Sequence, residues 1–473
     1  MIQKTHEFNP SILRAYDVRG IYNESLSEQD AYFLGKAYAT RIIREKNNPN
    51  PKIAIARDAR LSSPPLSQKL IEGMMSAGAY ILDVGVGPTP MLYFSVYHLQ
   101  ADGGIMVTGS HNPPTHNGFK MTLGTKPFFG EDIFALGEMT KKGDLLDGTG
   151  SKTEIPVLED YVTRLIQGFQ GENAKDLTVV WDAGNGATGE VMSKLAAKLP
   201  GKHFTLFAEL DGNFPNHHPD PSVEENLQDL IAKVKLEKAD LGIAFDGDGD
   251  RIGAVDAQGK VVWGDQLVMF FAREILSRNK GATIIADVKA SQTLFDDVAA
   301  NGGNPLMWKT GHSLIKAKMA ETKAALAGEM SGHIFFADGY YGYDDGLYAA
   351  VRLLNLLAHA PQSLAQMREG LPEIFNTPEI RIDCEESRKF ALVEEIRDRL
   401  KKTAFEVNEV DGVRVKAEGG WWLARASNTQ AAVIIRCEAQ SLAALERLKA
   451  MVSEQLIVSG VSQDLDAPSG GYH

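Results

Sequence analysis

Cysteine is nearly absent. Cys384 and Cys437 are the only two in 473 residues, too few for a disulfide framework and without the clustered spacing of a zinc site, so reduced structural thiols are expected. Long apolar runs are missing as well. The most apolar stretch, 267–275, is short and interrupted by Arg273, and the opening residues from Met1 to Phe8 lack the apolar core of a signal peptide. A cytoplasmic protein with no membrane partner is expected. Positive charge is in deficit: 49 Lys and Arg stand against 62 Asp and Glu, a formal net charge of −13. A nucleic-acid partner is therefore not expected, because such binders draw most of their affinity from a basic surface. No Gly-x4-Gly-Lys-Ser/Thr sequence occurs, which argues against phosphoryl transfer driven by a nucleotide.

The chain is too long for one hydrophobic core, and its 44% hydrophobic and 23% charged residues are those of a soluble globular protein, so two to four domains around a cleft are expected. Short apolar runs at 52–56, 79–83 and 104–107 alternate with amphipathic helical stretches such as 65–77, a βαβ pattern. A second cycle has a helix from about 157 to 167 and strands at 177–181, 203–207 and 241–245. A third has strands near 283–287, 305–308 and 324–326, then a long helix from 345 to about 357. Pro372 and Pro378 break the rhythm, and 412–416, 421–425 and 431–437 read as a smaller sheet with two helices. The expected fold is three similar α/β domains with mixed, largely parallel sheets plus a fourth, smaller α+β domain around a central cleft. The expected spans are 1–155, 156–260, 261–371 and 372–473.

Unusual loops follow the third strand of each α/β cycle, at the carboxyl ends where such sheets place ligands. Asp246-Gly247-Asp248-Gly249-Asp250-Arg251 sets three carboxylates at alternate positions, mutually repelling unless a hard cation sits among them. An EF-hand is excluded, because its sixth position is Arg251 and its twelfth is Ala257. An octahedral Mg²⁺ with room for a phosphoryl oxygen fits better. Thr108-Gly109-Ser110-His111-Asn112 presents a serine on a loop, without the Gly-x-Ser-x-Gly of a hydrolase elbow. Phosphorylated, Ser110 would supply the missing anionic ligand of the aspartate trio. Gly184-Asn185-Gly186-Ala187-Thr188-Gly189 is compatible with dinucleotide binding, but glycines serve any tight strand-to-helix turn and nothing else supplies hydride chemistry. Arg425-Ala426-Ser427-Asn428-Thr429, with Arg436 on the next strand, is a donor set suited to a phosphate dianion.

Together with Arg14-Ala15-Tyr16-Asp17-Val18-Arg19-Gly20, Asn117-Gly118-Phe119-Lys120, Asp287-Val288-Lys289, Lys309-Thr310-Gly311-His312 and Gly328-Glu329-Met330-Ser331-Gly332-His333, these loops resemble the α-D-phosphohexomutase family. The similarity is closest to its bacterial phosphomannomutase/phosphoglucomutase members and runs over nearly the whole chain. It implies a phosphohexomutase that interconverts hexose 1-phosphate and hexose 6-phosphate, of mannose or glucose, through a phosphoserine and a hexose 1,6-bisphosphate that reorients in the cleft. One Mg²⁺ per active site would be held by Asp246, Asp248, Asp250 and the phosphate on Ser110.

The resemblance also implies residue roles. Glu329 and Ser331 would bind sugar hydroxyls, while His312 and Lys289 reach the reacting end. Arg425, Ser427, Asn428 and Thr429 would anchor the phosphate not being transferred, with Tyr16 and Arg436 also expected at the substrate. Arg19, Lys120, Arg251 and His333 would surround the reacting phosphate. Lys120 is the first choice of general base, its pKa lowered by Arg19 and the metal, with His333 and His111 as alternatives. The last domain is expected to hinge near Pro372, and a monomer is expected. Two rival readings remain: a phosphoglucosamine mutase, against which Met330 weighs, and a non-catalytic sugar-phosphate-binding protein.

Overall fold

The computed structural model describes residues 5–385, 387–427, 431–461 and 465. In the first layer the apolar strands Gly103–Val107, Lys52–Arg57 and Tyr80–Val86 and the polar, exposed edge strand Ser151–Glu154 run parallel, linked through helices. The strand after the Ser110 loop, His116–Leu123, turns back antiparallel to Gly103–Val107, and Val18–Ile21 pairs beyond it. The same reversal recurs twice, at Leu241–Phe245 with Ile252–Asp256 and at Leu326–Gly328 with Ile334–Phe336. The cause is loop length: a parallel crossover needs about a dozen residues or more, and these connections are shorter. Each chemical loop is thus the tip of a hairpin at the carboxyl end of a parallel core.

The third strand of the third layer lies two residues later than its apolar run suggested, at Leu326–Gly328. The second sheet takes in Val261–Val262 on the edge of Ile252–Asp256, so a boundary drawn at 260 cuts a hairpin that closes at 262. The fourth sheet is antiparallel, centred on Gly420–Ala426 and Ala432–Ala439, with helices Lys389–Leu400 and Leu442–Val458 packed on it. No helix among the described residues is long and apolar enough to cross a membrane.

One continuous core runs through the first three layers, from Leu92 and Phe94 through Tyr161 and Trp181 to Phe270 and Phe336. The fourth has its own core and meets the third through a small patch of Val288, Trp421 and Leu423. Three layers are therefore welded, whereas the fourth is attached by polar contacts around that patch. Arg414 donates to the carbonyls of Val288 and Ala290 at 2.7 and 2.8 Å, and Glu438 accepts from Ser291 Oγ and Gln292 N, both at 3.0 Å.

Asp345 sits in the aromatic seam of the welded layers. As N-cap of the helix Gly346–His359 it accepts from Tyr348 N at 2.9 Å, and its other oxygen accepts from the hydroxyls of Tyr161 and Tyr340 at 2.9 and 2.8 Å. Burial pushes its pKa up to about 6. The native state then holds a proton between pH 4 and 6 that the unfolded chain has released, so this site's stabilisation is full at low pH and is lost as pH rises through 6. Asp345→Asn cannot titrate. Its thermal midpoint relative to wild type should rise from pH 4 to pH 7, by the equivalent of about 3 kcal/mol.

Candidate active site

The Ser110 loop is built by residues that no motif singled out. At the end of Lys52–Arg57, Asp58 accepts from Thr108 Oγ1 and Gly109 N at 2.8 and 3.1 Å. Buried Arg60 donates to the carbonyls of Ser110 and Asn112 at 2.7 and 2.6 Å. Thr108 Oγ1 accepts from Ser110 N at 2.8 Å. Held this way, Ser110 takes the left-handed conformation at φ 51°, uncommon for a residue with a Cβ and tolerated where surrounding contacts over-determine it. Its hydroxyl is buried and donates to Asp246 Oδ2 at 3.1 Å across the boundary between the first two layers, with His111 Nδ1 also 3.1 Å away.

Gly247 makes this approach possible, because a Cβ there would lie 2.4 Å from the carbonyl oxygen of Ser110. Asp246, Asp248 and Asp250 are fully buried and each offers an oxygen within 4.8 Å of the others. Burial, then the charges of Asp248 and Asp250, push Asp246 up to about 7. Three carboxylates in this space cannot all stay ionised without compensating charge. Asp248 Oδ1 and Asp250 Oδ1 are buried with no hydrogen-bond partner. The donor set, all carboxylate oxygen with two of its oxygens accepting no hydrogen bond beside a hydroxyl, fits a hard divalent cation.

Cations surround the trio. Arg251 donates from Nε to Asp246 and from Nη1 to Asp220, both at 3.2 Å, while its Nη2 has no partner. Arg19 is tied to Asp17 at 2.6 Å, and its Nε is likewise unpartnered. Burial together with Arg251 holds the His111 imidazole well below its ordinary pKa. Lys120 Nζ contacts Asp248 at 2.7 Å and Asp250 at 2.5 Å. Burial works to lower the Lys120 pKa, but those two carboxylates outweigh it and hold the ammonium well above its ordinary range. Among the protein groups, anions rather than the expected cations are its nearest neighbours.

His333 is also held by carboxylates. Its Nδ1 donates to buried Asp344 at 3.0 Å and lies 3.5 Å from Asp250, and against burial these carboxylates raise its pKa. His312 stacks beside it with ring centroids 5.6 Å apart, and its own pKa is held low by burial and by Lys316. In the third hairpin tip, Glu329 accepts from Gly311 N at 3.0 Å and from Ser331 Oγ at 3.2 Å. Lys289 pairs with Glu379 of the fourth layer at 3.0 Å. Tyr16 donates to the carbonyl of Thr310 at 2.9 Å, and Asp411 accepts from both Thr310 N and Arg425 Nε, at 3.1 and 2.9 Å. Arg425 and Ser427 are buried on this rim. Asn428 and Thr429 lie outside the described residues. Arg436 reaches the thioether of Met330, in the same third hairpin tip.

Asp58, Arg60, Asp220 and Asp344 were not singled out by sequence. Asp58 and Arg60 had a usable signal, a charged pair directly after a buried parallel strand, and Asp220 stands between Pro219 and Pro221. Asp344 had none, being one of two adjacent aspartates before a helix.

Two α/β hairpin tips that set a hydroxyl against an aspartate trio, with spare guanidinium donors of Arg251 and Arg19, form the arrangement of a phosphoryl-transfer enzyme. Residues 10–144, 159–259 and 263–375 match Phosphoglucomutase/phosphomannomutase, alpha/beta/alpha domains I, II and III, and residues 379–455 match its C-terminal domain. A protein named Phosphomannomutase/phosphoglucomutase from Pseudomonas aeruginosa is 44% identical over 458 residues, 97% of each chain. A Phosphoglucomutase from Neisseria gonorrhoeae is 42% identical over 442 residues, 93% of this chain and 95% of that one. The crystal structure of a phosphoglucomutase/phosphomannomutase family protein from Burkholderia thailandensis superposes with a TM-score of 0.89 at 42% identity, over 98% of this chain and 99% of that one. The chain belongs to the phosphoglucomutase/phosphomannomutase family and is an intramolecular phosphotransferase.

Proposed function

We propose that the enzyme interconverts the 1- and 6-phosphates of glucose and mannose, with Ser110 as the phosphoryl carrier. The observation that carries this is the 3.1 Å contact of Ser110 Oγ with Asp246, beside two carboxylate oxygens that accept no hydrogen bond. Asp246, Asp248 and Asp250 would hold Mg²⁺ together with the phosphate on Ser110. A divalent cation bound there neutralises charge on the phosphoryl oxygens.

Phosphoryl transfer asks chiefly for in-line positioning and for donors around the equatorial oxygens. The unpartnered N–H groups of Arg251 and Arg19 suit that task. Phospho-Ser110 passes its group to O6 or O1 of a hexose monophosphate, giving a hexose 1,6-bisphosphate. The bisphosphate turns end for end and returns its other phosphate to Ser110. Arg425 and Ser427, with Asn428 and Thr429, grip whichever phosphate is not reacting, helped by Tyr16 and Lys289, while Glu329 and Ser331 orient the ring hydroxyls. Arg436, His312 and His111 line the site without a step of their own.

The attacking hydroxyl must lose its proton. We assign this to His333 Nε2, since Nδ1 is engaged by Asp344, while Lys120 is paired with Asp248 and Asp250. The fourth domain opens near Pro372 to admit substrate and closes to exclude water from phospho-Ser110. One chain supplies every group named, so a monomer suffices. The domains are drawn at 1–155, 156–262, 263–371 and 372–473.

A coupled assay over the 1-phosphates of glucose, mannose and glucosamine tests the reading. Turnover of the first two should vanish with a chelator and return with added Mg²⁺. Preference for glucosamine 1-phosphate, or activity indifferent to chelation, would contradict it.

A further inference from the structure

The metal loop is gripped from outside its own layer. Thr89 opens the helix Thr89–His98 in the first domain, follows Pro88, and is completely buried. The N-cap position is Pro88, which makes no side-chain cap hydrogen bond, and Thr89 is the first residue of the helix itself. The Thr89 hydroxyl donates out of its own domain to Oδ2 of Asp248, in the second domain, and the Thr89 amide donates to the Asp248 carbonyl at 2.7 Å. Contact continues at the next residue, where a Cβ on Gly249 would lie 2.9 Å from Pro88 Cβ.

The two oxygens of Asp248 are used unequally. Oδ2 accepts from Thr89 Oγ1 and from Lys120 Nζ, the latter at 2.7 Å, whereas Oδ1 is buried and unpartnered. A carboxylate with one oxygen committed to two donors cannot rotate to offer that oxygen, so the other is presented in a fixed direction. Partners behind a ligand fix its orientation in this way, and their loss typically lowers metal affinity.

We propose that Thr89 is a positioning residue of the metal centre, its hydroxyl locking Asp248 so that Oδ1 faces the cation. The inference rests on the metal site proposed above. It gives the first domain a second role, since the layer that carries Ser110 also aims a ligand of the second domain at it. The spacing of carrier and cation is then set before substrate arrives. Lys120, on the other side of the same oxygen, belongs to that first domain too, and the two donors differ in kind: one is a charge, the other a neutral hydroxyl whose removal leaves the local charge unchanged.

The test is Mn²⁺ titration of the full-length protein, followed by the paramagnetic resonance of free Mn²⁺, on wild type, Thr89→Val and Thr89→Ser. Valine keeps the shape and removes the donor; serine keeps the donor and removes a methyl. Thr89→Val should bind Mn²⁺ roughly 10- to 100-fold more weakly, and Thr89→Ser should stay within about threefold of wild type. The Mg²⁺-induced rise in thermal midpoint, taken against each variant's own metal-free midpoint, should shrink for valine and persist for serine, which separates cation binding from a general loss of stability. Thr89→Val binding as tightly as wild type would overturn the role of Thr89 while leaving the metal site standing. Thr89→Ser falling tenfold would overturn it as well, without need of a folded valine variant. Wild type binding no Mn²⁺ would remove the metal site itself.

Discussion

Ser110→Ala is expected to lower turnover by at least about 10⁴-fold while hexose-phosphate binding stays within a few fold. The carrier hydroxyl takes part in both half-reactions, and nothing nearby replaces it: Thr108 Oγ1 is turned away, between Asp58 and the Ser110 amide. Ground-state affinity should survive because the proposed clamp for the resting phosphate lies in the fourth domain around Arg425, buried against Asp411. Steady-state kinetics alongside calorimetric titration with glucose 1-phosphate reads both quantities. Substantial residual turnover, or loss of binding in its place, would show that the serine is not the carrier.

The second large effect is expected at His333. His333→Gln should lower kcat by roughly 10²- to 10⁴-fold with little change in KM, the range for loss of a positioned base. The carboxylates of Asp250 and Asp344 raise the His333 pKa against its burial, so in wild type the acid limb of the pH–rate profile, where the base becomes protonated, should fall above the ordinary histidine value. That limb should be missing in the glutamine variant. Lys120→Met also impairs the enzyme in this scheme, but through the two aspartates it balances, and its acid limb should remain. An unchanged acid limb in His333→Gln would return the base role to another group.

Much of this architecture is legible in the chain because hydrophobic periodicity and loop chemistry are local. The apolar runs around Ile105, Ile243 and Ile285 mark strands wherever they pack, and alternate aspartates at 246, 248 and 250 announce a cation site without reference to a partner. The pairing of the Ser110 loop with the aspartate loop is also foreseeable, since both lie at carboxyl ends of parallel strands. What sequence could not supply was set by tertiary contact. The pKa of Lys120 depends on which charges surround it, and the fold surrounds it with Asp248 and Asp250, on a loop more than a hundred residues away. Arg60, Asp220 and Thr89 act by holding other groups of the site, backbone carbonyls for Arg60 and side chains for the other two, so their residue types are ordinary and only the contacts reveal them. The hairpin reversals after each tip were hidden because periodicity reports a strand but not its direction.

The most direct measurement is the intact mass of the protein before and after incubation with glucose 1,6-bisphosphate and Mg²⁺, followed by peptide mapping. The account predicts a single gain of about 80 Da, one phosphoryl group, on the peptide containing Ser110, removed again by excess glucose 1-phosphate. A mass that never changes, or a phosphate mapped to any other residue, would contradict it.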